Sequence, residues 1–544
     1  MDIRDKVVYQ IYPKSFYDTN GDGLGDLAGV TAKLDYLKEL GVDFLWLTPF
    51  FVSPQNDNGY DVADYCAVDP RFGTMEDAEA LIRAARERGI GIMLDMVFNH
   101  TSTQHAWFQR ALAGDPAYMD YYIWQDGREG RPPTNWVSKF GKSAWEYVPA
   151  RGKYYLHLFD VTQADLNWEN PRVREELKQV IRFWKKKGVE GFRFDVVNLI
   201  SKPAVFEDDH EGDGRRFYTD GRHVHEFLKE LTRDTGIDAM VTVGEMSSTS
   251  LENCIRYSNP AEKELSMVFS FHHLKIDYKD GAKWALQEPD IGALKKLFSI
   301  WQEGMAAGAG WNAVFWCNHD QPRIVSRLGD DGAYWKASAK MLAACTHFMR
   351  GTPYIYQGEE LGMTNAGYTD IAQYEDVESL NYYEILLAAG KSKEEALHIL
   401  SARSRDNSRT PMQWSAAENA GFTSGTPWLA LPDNFTMINA AAERMDPDSI
   451  FRFYQTLIRL RKEMPIIQRG DIFFLERENA SIIAYERAYA EQKLRVYCNF
   501  RAVNVPLMED SLDALTEAGW KKLLDNYEDL AADLRPYEVV VLEE

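Results

Sequence analysis

Eight short runs in which apolar and β-branched residues crowd together punctuate the first 360 residues: 7–13, 43–50, 91–100, 191–197, 240–245, 266–272, 312–320 and 352–360. They are too continuously apolar for strands with one wet face, and predict strands of a sheet buried on both sides. Between several of them lie amphipathic stretches of helical period, 30–41, 74–89 and 171–188, each closing on a helix-stopping glycine. Strands alternating with helices in this number predict a (β/α)8 TIM barrel of the α/β class. The alternation breaks twice. Residues 101–168, rich in Trp, Tyr, Pro and Gly and without a clear period, predict a loop-rich inserted domain rather than a helix. Residues 362–412, after the eighth strand, predict an irregular insertion. Beyond a long helical pattern at 449–465 the runs 471–476, 481–490, 493–500 and 538–544 alternate as antiparallel strands do. The expected organisation is a barrel over 1–100 and 169–465, the inserted domain at 101–168, and a C-terminal β-sandwich over 466–544.

Bulk properties narrow the function. No stretch approaches the 18 apolar residues a membrane-crossing helix needs, and residues 1–16 lack the basic-then-apolar layout of a signal peptide. Five cysteines, Cys66, Cys254, Cys317, Cys345 and Cys498, are scattered without metal-binding spacing, the usage of a reducing cytoplasm. A formal charge of −22 argues against nucleic acid and anionic membrane as partners. The expectation is a cytoplasmic protein, a monomer or weak oligomer, acting on a small molecule.

Polar residues break into the apolar runs near their C-terminal ends. The third carries Asp95, Asn99 and His100, the fourth Arg193 and Asp195, the fifth Glu245, and the seventh Asn318, His319 and Asp320. Arg193 and Asp195, two apart, share one strand face, and taken singly such a pair reads as a structural ion pair. Taken together, carboxylates from three strands converging at one barrel mouth match the needs of glycosidic bond cleavage. Arg193 is expected to keep Asp195 ionised. Glu245, after the apolar "MVTVG", is expected to have its pKa raised by desolvation, as a general acid requires.

The blocks "DMVFNH", "GFRFDVVN", "VGEM" and "FWCNHD" resemble the four ordered signatures of the α-amylase superfamily, glycoside hydrolase family thirteen. The resemblance implies a retaining mechanism with Asp195 as nucleophile, Glu245 as acid/base and Asp320 stabilising the transition state. It implies further that Asp57, Tyr60, His100, Arg193, His319 and Arg405 grip the sugar, with Phe159 and Gln163 as added contacts. "DNGYDV", "TSTQHAWF", "DNSRTPMQW" and Val196 are similar to the oligo-1,6-glucosidase branch. Loop stretches such as "NWVSKFGKSAWEY", "DGRRFYTDGR" and "FHHLKIDY" narrow the resemblance to the trehalose-6-phosphate hydrolases within it. That implies a phosphorylated disaccharide as substrate and no cofactor for catalysis. The alternative is an oligo-1,6-glucosidase acting on isomaltose-type sugars. A non-catalytic barrel of the kind that partners transporters would lack the carboxylates that are present here.

An anionic substrate on an acidic protein demands local cations. The candidates are Arg215, Arg216 and Arg222 after the fourth strand and Lys275, Lys279 and Lys283 after the sixth, with Lys275 first. "DTNGDGLGD" sets Asp18, Asn20, Asp22, Leu24 and Asp26 at spacings like the start of a calcium loop, without the distal Glu of an EF-hand. A polar turn is the plain alternative, and a structural Ca²⁺ is the expectation.

Overall fold

The computed structural model describes residues 2–544. Strands β1 (Val8–Ile11), β2 (Phe44–Leu47), β3 (Gly91–Met96), β4 (Gly191–Phe194), β5 (Val241–Met246), β6 (Met267–Ser270), β7 (Ala313–Val314) and β8 (Thr352–Tyr356) match the eight apolar runs, β5 passing the end of its run by one residue. They form one hydrogen-bonded sheet in the order β6-β5-β4-β3-β2-β1-β8-β7. Apart from β6 and β7, which stand at the two ends of that order, each strand lies beside its neighbour in the chain, and β8 returns to β1, the order of a (β/α)8 barrel. By their contacts the residues group into two compact units, one of 46–270 with 376–390, the other of 2–45, 271–375 and 391–544.

In the first unit β3, β4, β5 and β6 pair in parallel, with Arg193 level with Asp95 on one side and Val243 on the other. Helix Pro171–Lys187 shows why its sequence folds so. Asn170 caps it by accepting from the Arg172 amide, Pro171 opens it, three lysines fill its last turn, and Gly188 ends it in the left-handed conformation. Its Trp184 is buried against Phe50 and Phe51.

Residues 101–168 are more regular than expected. They hold helix Ala106–Ala113, capped by His105 and Gly114, and a three-stranded antiparallel sheet of 124–125, 145–148 and 153–156. The helix is barely two turns, too short for a period to show in the sequence. Trp136, Trp145, Leu156, Leu158, Phe206 and Tyr218 make its aromatic core.

In the second unit β8 pairs in parallel with β1 and β7. Past β8 two carboxyl groups are buried side by side. Glu360 Oε1 accepts from the Tyr9 and Tyr36 hydroxyls at 2.7 and 2.6 Å, and Glu359 Oε1 from Tyr454 at 2.9 Å. Burial pushes Glu359 up to about 8 and raises Glu360 as well.

The 362–412 segment holds helices Val377–Ala388, in the first unit, and Lys393–Arg403 and Asp406–Arg409, in the second. Asp376 and Ser392 cap the longer two. Their apolar residues are not gathered on one face, so no amphipathic signal announces them.

The C-terminal residues form a five-stranded antiparallel sheet of β9 (Asp471–Leu475), β10 (Ile482–Tyr489), β11 (Gln492–Asn499), β12 (Lys521–Asp525) and β13 (Val539–Glu543), ordered β9-β10-β11-β13-β12. Ile482, Ala484, Val540 and Leu542 on one face close over Leu512, Leu515 and Leu534. On the other, the Tyr485 hydroxyl donates to the Cys345 carbonyl of helix Trp335–His347 at 2.7 Å.

Candidate active site

In the first unit one side chain organises the site. The β3–β4 register sets Arg193 beside Asp95, and Asp195 follows just past the strand end. Arg193 Nη1 donates to Asp95 Oδ1 at 2.7 Å and to Asp195 Oδ1 at 2.6 Å, while Nη2 donates to Glu245 Oε2. The guanidinium is buried, lying 5.0 Å from the centre of the Trp46 ring. Glu245 therefore faces a cation and the Val196 amide (3.3 Å) rather than the purely apolar surroundings its strand suggests. Val196, directly after Asp195, takes φ 34° and ψ 41°, a left-handed conformation that a β-branched residue adopts only under constraint.

Asp95, noted in the sequence without a role, is the third carboxylate of the cluster. It also accepts from Trp46 Nε1 at 3.1 Å and the Tyr60 hydroxyl at 2.9 Å. Burial pushes Asp95 up to about 7, with Arg193 opposing and the Asp195 charge adding to the rise.

The predicted sugar contacts of this unit are joined to one another. Gln163 Nε2 donates to Asp57 Oδ2 at 3.0 Å and lies 3.2 Å from His100 Nε2. Asn99 Nδ2 is 3.1 Å from His100 Nδ1, and the Tyr60 carbonyl is 3.2 Å from Nε2. Burial lowers the His100 pKa, and the Phe159 ring packs against the imidazole at 5.1 Å.

In the second unit the carboxylate is Asp320. Its Oδ1 accepts from Arg409 Nη2 at 2.8 Å and Arg405 Nη1 at 3.3 Å, and His319 Nε2 lies 3.3 Å from Oδ2. Burial alone would raise Asp320, but His319, Arg405 and Arg409 outweigh it, and Lys283 adds to them, so the carboxyl is held far below its usual range. His319 Nδ1 is oriented by Gln10 Nε2 at 2.8 Å. Arg409 is the residue the sequence reading missed. Its signal was present, since it stands one turn after Arg405 in the same "SRDNSRTP" stretch.

The basic candidates divide. Arg215 forks onto Asp213 at 2.5 and 2.8 Å, and Arg216 pairs with Glu211 at 2.7 Å and Asp209 at 3.1 Å. Arg222, Lys275 and Lys279 are exposed, and Lys283 is half-buried. In the loop 18–26, Asp18 Oδ1 accepts from the Asn20 and Gly21 amides, Asn20 from Asp22 and Asp22 from Leu24, while Asp26 caps a helix through the Gly29 amide. Among the described residues no group of three or more His, Cys, Asp or Glu gathers as a metal site.

The α-amylase catalytic domain family matches residues 10–470. The trehalose-6-phosphate hydrolase of Bacillus subtilis is 55% identical, covering 98% of this chain and 97% of its own. That of Escherichia coli is likewise 55% identical over 98% and 97%. A crystal structure of the trehalose-6-phosphate hydrolase of Bacillus licheniformis superposes with a TM-score of 0.95 at 54% identity, covering 99% of both chains. The chain belongs to the α-amylase family of glycoside hydrolases.

Proposed function

We propose that the protein is a retaining α-glucosidase that hydrolyses trehalose 6-phosphate to glucose and glucose 6-phosphate. One observation carries the chemistry: a single buried guanidinium donates to both Asp195 and Glu245. Carboxylates joined through one planar fork stand close, favouring the separation of about 5–5.5 Å used for retention over the roughly 6.5–9.5 Å used for inversion. The choice of substrate rests on the two relatives that carry this activity in their names over nearly their full length.

In the proposed reaction Asp195 attacks the anomeric carbon while Glu245 protonates the departing glycosidic oxygen. Glucose 6-phosphate leaves, and an ester joins the glucosyl carbon to the Asp195 carboxylate. Glu245, now a base, takes a proton from water. The hydroxide attacks that carbon, glucose departs and Asp195 is regenerated. Asp320, kept ionised by its cations, has the role of stabilising the positive charge that develops on the sugar. Asp57, Tyr60, His100, Phe159, Gln163, His319 and Arg405 hold the glucosyl unit. These steps use no cofactor.

Phosphate recognition is assigned first to Lys275, with Arg215, Arg216, Arg222, Lys279 and Lys283 as the other candidates, because all six lie in loops that follow β4 or β6. The loop 18–26 is assigned a structural Ca²⁺. Its donors are all oxygens, and hydrogen bonds from Thr423 and the loop amides outweigh burial to hold Asp18 below its usual range, hence ionised. The five cysteines form no disulfide, which supports a cytoplasmic location.

The deciding experiment compares kcat/KM on trehalose 6-phosphate, trehalose, isomaltose and sucrose. Trehalose 6-phosphate is expected to lead by more than tenfold. Lys275→Ala should cost roughly tenfold to a hundredfold on it, the worth of one charge-assisted hydrogen bond, and spare a neutral aryl α-glucoside. A wild-type preference for isomaltose overturns the substrate in favour of an oligo-1,6-glucosidase.

A further inference from the structure

Beyond the carboxylates themselves, the ends of β4 and β5 are tied together by a polar network that carries no charge of its own except at one point. Asn198, three residues past Asp195, is fully buried. Its Oδ1 accepts from the Ser247 amide at 2.9 Å and its Nδ2 donates to the Ser247 carbonyl at 2.8 Å, so one side-chain amide pairs with residue 247 as a strand would. Ser247 is two residues past Glu245. Asn198 Nδ2 also donates to Asp220 Oδ1 at 3.1 Å, and the Asp220 amide returns a bond to the Asn198 carbonyl at 2.9 Å.

Asp220 is the anchor. Four neutral donors saturate its carboxylate: Asn198 and the Tyr257 hydroxyl (2.8 Å) on Oδ1, the Thr249 hydroxyl (2.8 Å) and Asn253 Nδ2 (2.8 Å) on Oδ2. The network also surrounds three residues forced into the left-handed region, Val196 at φ 34°, Asp220 at φ 50° and Ser248 at φ 54°. Such backbone persists only where its surroundings over-determine it. Two of the three flank the carboxylates: Val196 follows Asp195, and Ser248 is three residues past Glu245.

We infer that Asn198 and Asp220 are positioning residues that fix the aim of Glu245 at the departing oxygen. The inference rests on the roles proposed for those two carboxylates. If the network only held the fold, loosening it would slow every substrate alike. If it aims Glu245, the damage falls on substrates that need a proton. A sugar leaving group departs only when protonated, whereas nitrophenolate leaves unaided.

The test measures kcat/KM for a disaccharide and for a nitrophenyl α-glucoside in the wild type and in Asn198→Ala, Asp220→Asn and Glu245→Gln. The disaccharide is whichever one the wild type cleaves best, so the outcome does not depend on the phosphate. In Glu245→Gln the disaccharide-to-aryl ratio should collapse by a hundredfold or more. In Asn198→Ala and Asp220→Asn it should fall at least tenfold, with the alkaline limb of the disaccharide pH profile displaced from its wild-type position. Asp220→Asn keeps the shape of its side chain and serves if Asn198→Ala does not fold. Equal losses on both substrates, or no loss, overturn the positioning role alone. An unchanged ratio in Glu245→Gln overturns the acid assignment and this inference with it.

Discussion

Arg193 meets three carboxylates with one charge, and that imbalance shapes the chemistry of its neighbours. A guanidinium stays protonated at any working pH, so it is a fixed donor around which the acids must arrange themselves. Asp195→Asn keeps the size of the side chain and one acceptor oxygen, so the fold should survive. Turnover should fall by several orders of magnitude, because an amide does not attack the anomeric carbon. Steady-state assays on protein shown by mass spectrometry to be free of wild type check this, and residual activity above a few per cent would refute the nucleophile assignment. At this scale the sequence is legible where a charge interrupts an apolar run, as at Asp195, Glu245 and Asp320. It is silent where a role depends on a partner distant in the chain. Nothing in "YTDGR" announces that Asp220 gathers Asn198, Thr249, Asn253 and Tyr257.

Among the elements, strands were legible because burial on both faces writes an unbroken apolar run. Helices were legible only when one face was apolar. Helix Lys393–Arg403 escaped because its apolar residues are spread around it, and Ala106–Ala113 because it is short. The loop 18–26 is legible as a turn, since Asp18, Asn20 and Asp22 each accept from an amide two or three residues on. Its proposed Ca²⁺ makes a separate claim. Chelator should lower the melting temperature and added Ca²⁺ restore it by mass action, while Asp22→Ala should lose that response and keep the pH profile of catalysis. A melting curve indifferent to chelator and Ca²⁺ alike removes the ion.

For the whole molecule, the order of strands followed from their number and alternation with helices, because neighbouring strands of a barrel are neighbours in the chain. The C-terminal sheet was legible from its change of period. The net charge of −22 counts every carboxyl as ionised, and the buried pair past β8 shows where that count fails. Glu359 keeps its proton up to about pH 8 in the native protein, whereas the same side chain in an unfolded chain releases it near its ordinary value of 4.5. Between those values the unfolded chain binds fewer protons than the native one, so stability falls as pH rises through the window and levels off above it. Glu359→Gln should flatten that fall, as melting temperatures from pH 5 to pH 8 will show; equal slopes for variant and wild type would contradict it. Unfolding near neutrality thus becomes a reaction with a proton among its products, and its measured heat will depend on which buffer takes that proton up.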